Sequence, residues 1–210
     1  MRDTVLLTLP FLLLAPGERW YLQWEDPSTL FCRRAAGPIA VDGRPDEQAW
    51  VLADWSEPFV DIQGRSFPAP RHRTTVAILW DESVLYIAAR LEEPHVWGTI
   101  LERDAVIFHD NDFEVFLDPD GDNHRYAELE INALNTVWDL FLPQPYRDGG
   151  RAVDAWNIEG LRTATAIQGT MNDPSDAGTG WTVEIAIPWD ALDTLWGGPV
   201  PPPEGSQWNV

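Results

Sequence analysis

The feature that most constrains this chain is a period-two alternation of apolar and polar residues, repeated in short runs that end in turn-forming residues. Residues 74–91, TTVAILWDESVLYIAARL, form the best hairpin pattern, two β-branched and aromatic runs around Asp81, Glu82 and Ser83. In DFEVFL, Phe113, Val115 and Leu117 share one face, while Asp112, Glu114 and Phe116 share the other. RYAELEINAL repeats the pattern, with Ala127, Leu129, Ile131 and Ala133 opposite Tyr126, Glu128, Glu130 and Asn132. NTVWDLFL follows a turn at Asn135 and Thr136, and WTVEIAI is a further strand. Helical signal is confined to residues 46–53, with Trp50 and Leu52 as the buried positions, and to PWDALDTLW, where Pro188 stands in the first turn. Many short strands and little helix predict an all-β fold: an antiparallel β-sandwich of jelly-roll type with one or two short helices.

Charge narrows the partners. A net charge of −20 and the absence of any basic run exclude a phosphate-tracking nucleic-acid surface and an anionic membrane surface. Neutral, hydroxyl-rich ligands and divalent cations remain. The 12 tryptophans are more than one core needs, and indole stacks well on flat apolar faces such as sugar rings. Cys32 is the single cysteine, so no internal disulfide framework exists. The apolar run from Val5 to Ala15 is too short to span a bilayer but has the length of a signal-peptide core behind Arg2, so a secreted or periplasmic location is expected. Residues 1–36 are accordingly a leader and linker, and residues 37–210 one domain. The terminal Trp208, Asn209 and Val210 read as the start of a strand, so that domain is expected to continue.

The stretch FHDNDFEVFLDPDGD concentrates the acids. Glu114 with Glu128 or Glu130 is open to three readings: ligand hydrogen bonding, a solvated sheet face, or the paired carboxylates of a glycosidase. DPDGD sets Asp118, Asp120 and Asp122 at every second residue, which suits either calcium or a plain turn. His95, His109 and His124 lack metal-ligand spacing and are expected at the surface, with His109 beside Phe108 the nearest to a ligand. Trp80, Trp181 and Trp189 are expected in the core, and Trp50 and Trp55 in packing. Trp97 lies in loop sequence, while Trp138 sits in a run that is apolar on both sides.

Four segments in order, PIAVDGRPDEQAW, AILWDESVLYIAARLEEPHVW, FHDNDFEVFLDPDGDNHRYAELEINALNTVWDLFL and GWTVEIAIPWDAL, resemble the carbohydrate-binding module family 9-like domains of bacteria, over about residues 38–210. The resemblance implies a DOMON-like β-sandwich, sugar held against aromatic rings, structural calcium, and attachment to glycoside hydrolases such as xylanases in carbohydrate catabolism. It places the first aromatic position at or beside Phe108, with Trp97 the alternative, and the hydroxyl-binding acid at Glu114. Polar positions of the next strand fall at Glu130, where the family carries a basic residue, and at Asn132; the family's second tryptophan would lie beyond Val210. The implied sugar contacts are Trp97, Phe108, His109, Asn111, Glu114, Glu130, Asn132 and Trp138, with calcium at Asp118, Asp120 and Asp122. The function implied is a non-catalytic domain recognising xylan, cellulose or their ends beside a glycoside hydrolase. Part of a glycoside hydrolase, or a structural domain without a ligand, are the alternatives.

Overall fold

A computed structural model describes residues 29–210; the apolar run at Val5 to Ala15 and Trp20, Tyr21 and Trp24 lie outside them. Among the described residues, eight strands form two sheets. The larger has the order β1 (Arg33–Arg34), β2 (Thr74–Trp80), β3 (Val84–Glu92), β8 (Gly180–Pro188), β7 (Arg162–Gln168), and the smaller β4 (Asp112–Leu117), β5 (Tyr126–Asn132), β6 (Val137–Leu142). All pairings are antiparallel except β1 with β2. This is the sandwich predicted by the alternation, and the runs at β4, β5, β6 and β8 are strands where expected.

The main core lies between the sheets. Leu85, Ile87 and Ala89 of β3 and Val183, Ile185 and Ile187 of β8 meet Phe113, Val115, Leu117, Leu129 and Ile131 of the smaller sheet. Trp181 and Trp189 are buried in it, and Trp80 packs at its edge. The outer face of the larger sheet carries a second layer: Ala77, Leu79, Tyr86, Ala88 and Ala186 against Trp50, Ile39, Val41 and Trp55.

One carboxylate organises that second layer. Glu184, 1% exposed, accepts hydrogen bonds from the backbone N–H of Asp42 at 3.0 Å and Gly43 at 2.8 Å, and from Trp50 Nε1 at 2.8 Å. Gly43 has φ +86°, and a Cβ there would lie 2.5 Å from the Thr165 backbone, so this turn requires glycine. The spaced residues of VDGRPDEQAW are thus tied to the fourth residue of WTVEIAI.

Two expectations fail locally. The first helix, α1, is a single turn (Gln48–Val51), so Ala49 and Trp50 pack while Leu52 sits at its C-cap, 57% exposed. The segment after Pro188 is a 3₁₀ turn, Trp189–Leu192, with a short α2 (Asp193–Trp196) only then. Strands β1 and β7 have no alternation to announce them. RTATAIQ is half-buried along most of its length and is held by its full register with β8.

Candidate functional site

The smaller sheet turns Asp112, Glu114, Glu128 and Glu130 away from the core. Register sets Asp112 opposite Asn132, Glu114 opposite Glu130, and Glu130 opposite Trp138, so one face carries them in a row across three strands. The 3₁₀ turn Ile107–His109 feeds β4 and brings Phe108 over this row. The Phe108 N–H donates to Glu130 Oε2 at 3.0 Å, and its ring lies 6.1 Å from Trp138 and 5.1 Å from His109. Phe108 is 54% exposed, which leaves an aromatic wall open beside the carboxylates.

Of the three readings open for these acids, the fully solvated face does not hold for most of the row. Glu128, Glu130 and Asn132 are all buried. Glu128 accepts the Tyr146 hydroxyl at 2.7 Å, and Glu130 lies under Phe108. Asn132 is wholly committed to the protein. Its amide nitrogen donates to Ile100 O and Asp110 Oδ2, and its oxygen accepts from Leu134 and Thr136 N–H. Two donors and two acceptor sites are thereby used, and no capacity is left for a ligand. Asn132 is a clamp for the loops rather than a hydroxyl reader.

Asp110 completes that clamp. Its carboxylate accepts from Thr99 N–H, Thr99 Oγ1, Ile100 N–H and Asn132 Nδ2 at 2.7–3.0 Å. Burial opposes ionisation there, but these hydrogen bonds outweigh it and hold the Asp110 carboxyl below the usual range. Asp139 does similar work on the core face of β6, accepting from the Ile158 N–H at 2.6 Å and pairing with Arg103.

The acidic row itself is shifted the other way. Burial first, and then the Glu114 charge, raise Asp112 to about 7; burial, then Asp112, Glu114 and Glu128, raise Glu130 to about 8. Desolvation raises Glu114 too, although the residue is exposed. One carboxylate oxygen from each of Asp112, Glu114 and Glu130 lies within 4.8 Å of the other two.

The remaining predicted residues separate from this group. Asn111 donates to Glu93 and lines a cleft of about 400 Å³ with Asp112, Arg71, His72 and His95. Trp97 is 44% exposed, but no ring contact or hydrogen bond among the described residues joins it to Phe108 or Trp138. Asp118, Asp120 and Asp122 do converge, one oxygen of each lying within 4.8 Å of the others. Asp118 also caps its own turn, accepting from Gly121 N–H at 3.1 Å and Asn123 N–H at 2.9 Å, while its backbone pairs both ways with Asn209. His95 bonds the Asp176 carbonyl and His124 the Asp122 carbonyl, outside any metal cluster of the described residues. Sequence reasoning put Asp112 on the right face without singling it out. Tyr146 was missed outright, since only tertiary packing carries it to Glu128.

Residues 41–200 match the family described as "Carbohydrate family 9 binding domain-like". A comparison with curated proteins finds no match. Among solved structures, a Bacteroides uniformis protein assigned as carbohydrate-binding superposes with a TM-score of 0.57 at 13% identity, covering 80% of this chain and 75% of that one. That likeness concerns the fold. Two family 9 modules from Caldicellulosiruptor kristjanssonii, one in complex with cellotriose and one with glucose, give TM-scores of 0.48 and 0.49 at 19% and 18% identity. They are covered over 66% and 67% of their length, by 75% and 74% of this chain. The family match spans most of the chain and takes in every strand but β1, with the acidic face of the smaller sheet, so the protein belongs to the carbohydrate family 9 binding domain-like family.

Proposed function

We propose that this domain binds oligosaccharides or polysaccharides of plant type, glucan or xylan, on the outer face of the smaller sheet, as an exported accessory to a glycoside hydrolase. The observation that carries the reading is the Phe108–Trp138 wall set against the Asp112, Glu114 and Glu130 carboxylates. Aromatic rings take the apolar face of a pyranose, and carboxyl groups hydrogen-bond its hydroxyls, most strongly as ionised acceptors. The family membership supports the ligand class, and the apolar run behind Arg2 supports export. Titration calorimetry with cello- and xylo-oligosaccharides tests it. Phe108→Ala and Trp138→Ala should each weaken binding by about tenfold or more, the worth of one stacked ring. Unchanged affinity in both would remove the wall from the site.

Hydrolysis is less well supported by the same acids. Glu114 and Glu130 are directly cross-strand neighbours on one face, so their side chains project in parallel. A glycosidase pair has to flank the scissile bond from two sides.

Calcium at Asp118, Asp120 and Asp122 is part of the proposal. Three convergent carboxylates at a turn are a fitting start for a hard cation, with backbone carbonyls and water able to complete its shell. The ion would reinforce the turn that pairs with Asn209. EDTA should then lower the melting temperature by about 3–6 °C, and added calcium restore it. An unchanged melting curve would assign the three acids to the turn alone.

A further inference from the structure

We infer that the site selects a cation carried on a sugar ring, namely the protonated amine of an amino sugar such as a β-1,4-linked glucosamine oligomer. The inference rests on the carbohydrate-binding reading and names its ligand class. The trio of acids has no counter-charge: none of the ion pairs among the described residues includes Asp112, Glu114 or Glu130. Arg71 and His72 line the adjoining cleft with Asp112, yet neither pairs with the trio. The neighbouring titratable groups are themselves acids, Asp110 and Glu128, each already held by hydrogen bonds from the protein. An ammonium beside the trio favours its ionised form, which a neutral sugar does not.

Two orphaned atoms point to the same ligand. Asp112 Oδ2 is buried without a hydrogen-bond donor, and Trp138 Nε1 is buried without an acceptor. Glu130, 1% exposed, spends one oxygen on the Phe108 N–H. Buried polar atoms are rarely left unmatched. An amino sugar supplies both kinds of partner, an ammonium with three donors and hydroxyls that accept. Three acceptors around an ammonium, each about 2.8 Å from the nitrogen, stand roughly 4.6 Å apart. The oxygens of Asp112, Glu114 and Glu130 lie within 4.8 Å of one another, a spacing that admits this fan. A divalent cation would also satisfy the acids. It would make no use of the aromatic wall beside them. The wall and the acids together suit a charged sugar.

Three tetrasaccharides with one backbone separate the possibilities, because they differ only at C2: cellotetraose (hydroxyl), tetra-N-acetylchitotetraose (acetamide) and chitotetraose (amine). Calorimetry on the full chain at about pH 6, where the amine is protonated, should show chitotetraose binding at least about tenfold tighter than the other two. That preference should shrink as salt is raised. It should fall to about threefold or less in Glu114→Gln, which removes one charge-assisted acceptor at an exposed position. Neutral oligomers bound as tightly as the amine would overturn the inference and leave the carbohydrate reading in place. Failure of all three to bind would overturn the inference, and failure of xylotetraose as well would overturn the carbohydrate reading. Calcium chloride alone binding at the trio, lost in Glu114→Gln and without any amine preference, would replace the amino sugar with a metal. A preference that survives Glu114→Gln unchanged would also sink it.

Discussion

Glu184→Ala will destabilise the domain by about 3–5 kcal/mol, the largest effect expected of any single side chain outside the main core. The three groups it receives, the N–H of Asp42 and Gly43 and Trp50 Nε1, are left in an apolar layer formed by Ala77, Leu79, Tyr86 and Ala88. Each buried donor stripped of its acceptor costs about 1–3 kcal/mol, and relief from burying a carboxylate returns part of that. Burial raises the Glu184 carboxyl, and the three hydrogen bonds oppose the rise without cancelling it. Glu184→Gln retains the shape and one acceptor, so it should lose about half as much, and Trp50→Phe about 1–2 kcal/mol. Urea denaturation of the three variants measures this directly. A loss under about 1 kcal/mol in Glu184→Ala would mean that apolar packing alone holds residues 39–55 on the sheet.

Stability will also fall as pH rises from about 5 to about 8. Asp112 and Glu130 are raised to about 7 and about 8, so the folded state holds protons that the unfolded chain gives up near pH 4. Their contribution is present below that point and is lost as pH climbs through the folded values. Asp110 has the opposite sign, since its lowered value stabilises the fold above about pH 4 and matters only in stronger acid. Because Asp112, Glu114 and Glu130 repel one another, their protons leave as a coupled set. The loss is then on the order of 3 kcal/mol across the window, rather than the sum of separate shifts. Glu130→Gln should flatten the profile and be the more stable protein at pH 8, by about 2 kcal/mol. Equal stability of the wild type at pH 5 and pH 8 would show that the acids are solvated after all. The sites of raised stability cost and of proposed ligand binding are the same, as expected where charge is held ready for a partner.

Much of this protein was legible before any coordinates. Period-two alternation is a local property, and β4, with Phe113, Val115 and Leu117 inward and Asp112, Glu114 and Phe116 outward, could be placed from its own six residues. Spacing within DPDGD likewise brought three carboxylates together, because five residues of turn cannot separate them far. Leu52 was misplaced because a helical period cannot tell that the helix stops after one turn.

The sequence by itself determined the β-sandwich, the alternating faces, the acidic strand and its nearby aromatic residue. Only the tertiary structure decided which polar residues remain free to act. Glu184 and Asn132 look like any other polar strand residue in sequence, yet they are buried by segments 142 to 32 positions away and spent on internal bonds. Asp112, Glu114 and Glu130 were separable from them only once β4 and β5 paired and Phe108 folded over Glu130. Alternation fixes the direction of a side chain, a matter of neighbouring bonds. Burial and hydrogen-bond partnership depend on whatever distant chain arrives to cover it, and that is settled by packing alone.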